Sequence, residues 1–207
     1  MPHRLSLAIL ALAALAGPLA AQEGPQLSGG IGFLYPGKHT IQEDNQPERT
    51  QEVYKGGPVL EAAAHWRQGT WLEPRLRGTA FYLFQGDGTL ANGQRLDAKS
   101  YGLTVVGEGQ LHLWHPDRPG PYLTFGAGLV GYHYTLRGLL DTPDQVSGTD
   151  GGVTVTGGLG WQMGAGWELE ARFDGHLTAR EVTVAPLLMV KADPNPSGFL
   201  LVLRKRQ

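Results

Sequence analysis

Apolar and polar residues alternate along most of this chain with a period of two, the mark of β-strands that differ on their two faces. Over residues 58–67, Leu60, Ala62, Ala64 and Trp66 share one face, and Glu61, His65 and Arg67 share the other. Over 71–85, Leu72, Leu76, Ala80, Tyr82 and Phe84 oppose Glu73, Arg75, Arg77 and Thr79. Over 98–114, Tyr101, Leu103, Val105, Leu111 and Leu113 oppose Thr104, Glu108, Gln110 and His112. Over 166–177, Trp167, Leu169, Ala171 and Phe173 oppose Glu168, Glu170, Arg172 and Asp174. Four more strands are predicted at 27–35, 121–136, 151–163 and 198–206, set apart by clusters of Gly, Pro, Asp and Asn.

The connections between these strands alternate in length. Those at 36–57, 86–97, 137–150 and 178–197 are long, and those at 68–70, 115–120 and 163–165 are short. Tight turns at one rim and large loops at the other make an up-and-down antiparallel barrel of the transmembrane kind. A Greek-key sandwich has no reason to sort its connections this way. The apolar stretch 182–191 is interrupted by Pro186 and reads as an extension of the seventh strand or as ordered loop.

Paired residues must lie on the same face, so the pattern also predicts register. The short connection at 68–70 sets Arg67 opposite Trp71, His65 opposite Glu73 and Glu61 opposite Arg77. The one at 163–165 sets Trp161 opposite Trp167, Gly160 opposite Glu168 and Gly158 opposite Glu170. Glycine beside a long carboxylate suits a narrow interior.

Alternation alone does not say which face is inside. A soluble lipocalin-like carrier would bury the apolar face; a membrane barrel would turn it to lipid and pack the charges in the lumen. Aromatic placement favours the membrane. Trp66, Trp161 and Trp167, with Trp71 and Trp114, lie near the short turns. Tyr35, Tyr54, Tyr82, Tyr101, Tyr132 and Tyr134 lie at the long-loop end, and Tyr122 at the turn end. Two aromatic belts flanking an apolar band mark a membrane barrel. Strict alternation nevertheless puts Trp71 and Trp114 on the charged face.

Composition narrows the classes further. The formal net charge of −2 carries no basic footprint for nucleic acid. The absence of cysteine excludes disulfides, thiol catalysis and thiolate metal sites. The longest apolar run, residues 5–16, is too short for a membrane-spanning helix. It follows His3 and Arg4 and precedes Gly17, Pro18 and a run of small residues, the layout of a secretory signal peptide. Residues 1–21 are therefore expected to be the leader, and 22–207 the barrel domain.

Residues 29–35 (Gly-Gly-Ile-Gly-Phe-Leu-Tyr), 121–132 (Pro-Tyr-Leu-Thr-Phe-Gly-Ala-Gly-Leu-Val-Gly-Tyr) and 167–174 (Trp-Glu-Leu-Glu-Ala-Arg-Phe-Asp) resemble strands of the small eight-stranded outer-membrane barrels, the OmpA-like and OmpW-like domains. The resemblance spans nearly the whole mature chain and implies an outer-membrane location. It implies outer-membrane lipids and the barrel-assembly machinery as partners. Members of that family typically end in an aromatic residue, and here the chain runs Leu203-Arg204-Lys205-Arg206-Gln207.

The expected lumenal charges are Glu61, Arg67, Glu73, Arg75, Arg77, Glu108, Glu168, Glu170, Arg172 and Asp174. They could form an ion path or a structural plug. Eight strands leave an interior just wide enough for side chains, and buried charges persist when paired, so a plug is expected. His176, with Thr178 and Glu181 nearby, parallels the histidine, hydroxyl and carboxylate of lipid A deacylases, but no wider motif accompanies them. The chain is expected not to be an enzyme. Asp141, Asp144 and Asp150 read as a solvated acidic loop, Gly126-Ala127-Gly128 opens no helix, and no cofactor is expected. The expected role is structural, or surface interaction through the long loops. The alternatives are transport of small hydrophobic solutes through the barrel wall and a soluble carrier.

Overall fold

A computed structural model of the chain describes residues 24–42, 47, 49–66, 71–86, 88–89, 93, 95–115, 118–137, 145–177, 182–183, 191–192 and 195–207. The expected leader lies outside these residues. Eight long strands dominate: β1 (Gln26–Pro36), β2 (Gly57–His65), β3 (Leu72–Gln85), β4 (Arg95–His112), β5 (Gly120–Arg137), β6 (Gln145–Gln162), β7 (Trp167–Leu177) and β8 (Gly198–Arg206). Each pairs antiparallel with its neighbours in sequence. The ring closes where β1 meets β8, from Ser28 opposite Arg206 to Pro36 opposite Gly198. The backbone ladder thus has no free edge, the condition for crossing a lipid core with strands.

The faces sort as the alternation requires. In β7, Trp167, Leu169, Ala171 and Phe173 are exposed, while Glu168, Glu170, Arg172 and Asp174 are buried. Around the barrel, Ile31, Leu60, Leu159 and Phe199 are each at least 60 % exposed. An apolar belt of this extent on the outside, with charges inside, is the construction of a transmembrane barrel and the inverse of a lipocalin-like carrier.

Two expected registers are displaced by two residues. Glu61 stands opposite Thr79, and Ala63 opposite Arg77, because six residues separate β2 from β3. Trp161 stands opposite Leu169, Gly160 opposite Glu170 and Gly158 opposite Arg172. There the chain turns through Gly164–Gly166, with Ala165 (φ 60°) and Gly166 (φ 77°) in the left-handed region, and Met163 N donates to Trp167 O at 2.8 Å. An even shift leaves every side chain on its own face.

The aromatic belts also differ from expectation. Trp71 and Trp114 are 54 % and 63 % exposed, not lumenal. Both lie beyond the ends of their strands, where alternation no longer applies. Trp161 and Trp167 are exposed and Trp66 is half-buried at the same end. Of the tyrosines, Tyr35, Tyr82 and Tyr101 face outward, whereas Tyr54, Tyr132 and Tyr134 are buried. On β5 the even-numbered positions from Tyr122 to Leu136 point inward and carry Tyr132 and Tyr134 with them.

Val182–Thr183, at the start of the stretch 182–191, does not continue β7, and residues 184–190 lie outside the described residues. Val182–Thr183 pairs with Lys191–Ala192, which pairs with His39–Gln42, which pairs with Arg49–Gln51. This small sheet joins the first and last long loops.

The outward belt generates a direct test. Ile31→Arg places a charge midway along β1 on a position already exposed in the bare protein. If lipid is the solvent there, it should cost about 2–4 kcal/mol of unfolding free energy in bilayers. An unchanged unfolding midpoint in lipid would contradict the membrane face.

Candidate functional site

The interior holds two zones, set by what each strand turns inward. On β3 the inward residues run Glu73, Arg75, Arg77, Thr79, Phe81 and Leu83, from charged at the short-turn end to apolar at the long-loop end. The same gradient appears on β2, from His65 and Glu61 to Val59, and on β8, from Arg206 and Arg204 to Val202 and Leu200.

The charged zone is a continuous network. Arg75 Nε donates to Glu108 at 2.6 Å, and its Nη1 to Glu170 at 3.0 Å on the far wall. Arg77 Nε donates to the other oxygen of Glu108 at 2.6 Å, and Nη1 reaches Asp174 at 3.3 Å. Arg172 donates to Glu61 at 2.5 Å and to Glu170 at 2.9 Å. Arg204 donates to Glu61 and Glu168, each at 2.9 Å. Arg206 bonds Glu168, Glu73 at 3.1 Å and Gln110 at 3.2 Å. Neutral groups fill remaining lone pairs: Thr156 donates to Asp174 at 2.6 Å, and Tyr122 to Glu170 at 3.1 Å. The His65 ring lies between Ser28 Oγ at 2.8 Å and Glu73 Oε1 at 2.9 Å.

Space in this zone is short. A Cβ at Gly160 would collide with the Tyr122 ring, and one at Gly158 with the Cβ of Arg172. Such contacts leave no room for a side chain.

Above the network sits an apolar layer that includes Leu34, Val59, Phe81, Leu83, Val130, Tyr132, Tyr134 and Leu136. At its margin the His39 ring meets Tyr54 edge-on at 5.1 Å, and His39 Nε2 contacts the Asn195 carbonyl at 2.7 Å. The first and last long loops are thereby tied to each other, and Tyr54–Lys55 pairs with Phe84 and Gln85 at the end of β3.

Of the ten expected lumenal charges, Glu61, Glu73, Arg75, Arg77, Glu108, Glu168, Glu170, Arg172 and Asp174 are buried inside, and Arg67 lies outside the described residues. The expected partners Glu61 and Arg77 approach to 3.7 Å, but the shorter contacts of Glu61 are to Arg172 and Arg204. Arg204 and Arg206, which look like a charged tail in the sequence, are members too. Their signal was alternation with Leu201, Leu203 and Lys205. The apolar layer was missed because its residues share the parity of the charges. His176 is buried and contacts Thr154 Oγ1 at 2.9 Å; Thr178 and Glu181 lie outside the described residues. Asp150 accepts from the neighbouring Gly151 N at 2.7 Å, and Asp141 and Asp144 lie outside the described residues.

No protein-family model matches the chain, and no curated protein matches it. Solved structures do. The attachment invasion locus protein Ail of Yersinia pestis superposes with a TM-score of 0.53 at 12% identity, covering 90% of this chain and 100% of Ail. The outer membrane protein OprG of Pseudomonas aeruginosa superposes with a TM-score of 0.52 at 12% identity, covering 91% of this chain and 98% of OprG.

The network makes a prediction that differs from that of an isolated pair. Glu61→Ala removes the carboxylate shared by Arg172 and Arg204, which keep Glu170 and Glu168, and should cost about 1–3 kcal/mol in detergent or lipid unfolding. Exchanging charges, Glu61→Arg with Arg77→Glu, should not restore the loss, since it sets a third guanidinium against Arg172 and Arg204. Recovery by that exchange would show that Glu61 and Arg77 act as a separate pair.

The likeness to the solved structures is one of fold: the chain has the architecture of the small eight-stranded outer-membrane barrels.

Proposed function

We propose that this protein is an integral outer-membrane barrel with a closed lumen, and that it acts through its long loops, in surface contact or in support of the membrane. The observation that carries the reading is the zoned interior. Salt-bridged side chains fill one half and an apolar layer fills the other, so an ion entering from either end meets a barrier. Eight strands leave little space beyond those side chains. What remains available for interaction is the long-loop end, where the small sheet joins two loops. Ail, which shares the fold, has been solved in complex with the heparin analogue sucrose octasulfate, and it sets a precedent for ligand contact by a barrel of this size. Transport of an apolar solute through the wall is the less favoured alternative, because the described strands are paired all the way round and that pairing would have to open.

Two measurements test the reading together. Purified protein in planar bilayers should insert without conductance steps, and a tag at Asn45 should be accessible on intact cells while a tag within 115–120 is not. Stable conductance would overturn the closed lumen. The reverse labelling would overturn the assignment of the loops to the outside.

A further inference from the structure

The outermost inward-facing layer at the short-turn end brings a hydroxyl, an imidazole and a carboxylate into one chain of contacts. Ser28 is the third residue of β1, His65 the last of β2 and Glu73 the second of β3. Ser28 Oγ lies 2.8 Å from His65 Nε2, and His65 Nδ1 lies 2.9 Å from Glu73 Oε1. Arg206 donates to the other carboxylate oxygen at 3.1 Å. A carboxylate only accepts, so Nδ1 of the neutral ring carries the proton and Nε2 is left as the base facing the Ser28 hydroxyl. A hydroxyl becomes a nucleophile beside such a base, itself oriented by a third group. Two other rings contact a hydroxyl, His133 with Thr149 at 3.2 Å and His176 with Thr154 at 2.9 Å. Both use Nδ1, and neither ring has a hydrogen-bonded carboxylate among the described residues.

The surroundings of the serine suit the charge that its attack would create. Arg206 is the register partner of Ser28, and Gln26 is that of His65. Both line a recess of about 340 Å³ at this rim, a volume that fits a small ester. Gln110 Oε1 accepts from Arg206 at 3.2 Å, which leaves its buried Nε2 as a donor without a partner among the described residues. A guanidinium and, next to it, an unused amide donor supply what a developing oxyanion needs.

We propose that Ser28, His65 and Glu73 form a hydrolytic site for small carboxylic esters, entered from the short-turn side. Ser28 Oγ adds to the acyl carbon while its proton passes to His65 Nε2. The tetrahedral oxyanion collapses, the ester C–O bond breaks, and the leaving alcohol takes the proton from Nε2. Water then repeats the sequence on the acyl-serine and releases the carboxylic acid. Ser28 and His65 are the catalytic residues, and Glu73 is a positioning residue. The full chain would be folded in detergent and checked by heat-modifiable migration. It would then be treated with diisopropyl fluorophosphate and, separately, assayed with p-nitrophenyl butyrate. Peptide mass analysis should place the phosphoryl adduct on Ser28, and the ester should be hydrolysed. Ser28→Ala should lose both, and His65→Gln should slow hydrolysis about 10²–10⁴-fold. Glu73→Gln should lower kcat and leave KM unchanged. The adduct is read on the unaltered chain, so the test stands even if a variant fails to fold. No adduct on the folded protein, or hydrolysis that persists in folded Ser28→Ala, would overturn the site and leave the three residues as a structural relay. An unchanged kcat in folded Glu73→Gln would overturn the positioning role of that carboxylate.

Discussion

A carboxylate buried inside a closed barrel must find its counter-charge there, because the cost of burying it alone is several kcal/mol. Glu61 on β2 meets that demand with Arg172 from β7 and Arg204 from β8. Glu170 on β7 meets it with Arg75 from β3 and Arg172 from its own strand. Bonds of this kind cross the barrel and do not merely run along a seam. They tie opposite walls together in addition to the backbone ladder.

Closure shows how the two depend on each other. β8 supplies the backbone partners of β1 and β7, and it also carries Arg204 and Arg206, two of the five buried guanidiniums among the described residues. Without β8, Glu61, Glu73 and Glu168 would lack those arginines. One strand therefore closes the sheet edges and supplies counter-charges to Glu61, Glu73 and Glu168. Beyond the network the inward residues turn apolar, and in the closed-lumen reading proposed above interaction is left to the long loops.

Much of this was legible in the chain. Strict alternation in 166–177 showed which residues share a face, and long and short connections in turn showed an up-and-down ring. Register was legible only in parity: a slip of two residues leaves Glu61 inward whether it faces Arg77 or Thr79, so the pattern could not choose between turns of different length. Trp71 and Trp114 were misplaced because alternation was carried past the strand ends. Tyr132 and Tyr134 were misplaced because height along the strand was weighed above face; they share the inward parity of Tyr122 and Val130. Arg204 and Arg206 were overlooked because a basic terminus looks solvated unless its alternation with Leu201 and Leu203 is given equal weight. The small sheet between the first and last long loops rests on pairings of two or three residues, too short for any period to show.

The most direct test of the charge network as the element that binds the walls is a double-mutant cycle between Glu61 and Arg204 in lipid vesicles. Both are buried, and they sit on strands that are not neighbours. Their coupling energy should exceed the roughly 0.2–1 kcal/mol typical of exposed ion pairs. A coupling within that exposed range would mean that water screens the pair and that the backbone ladder alone holds the barrel together.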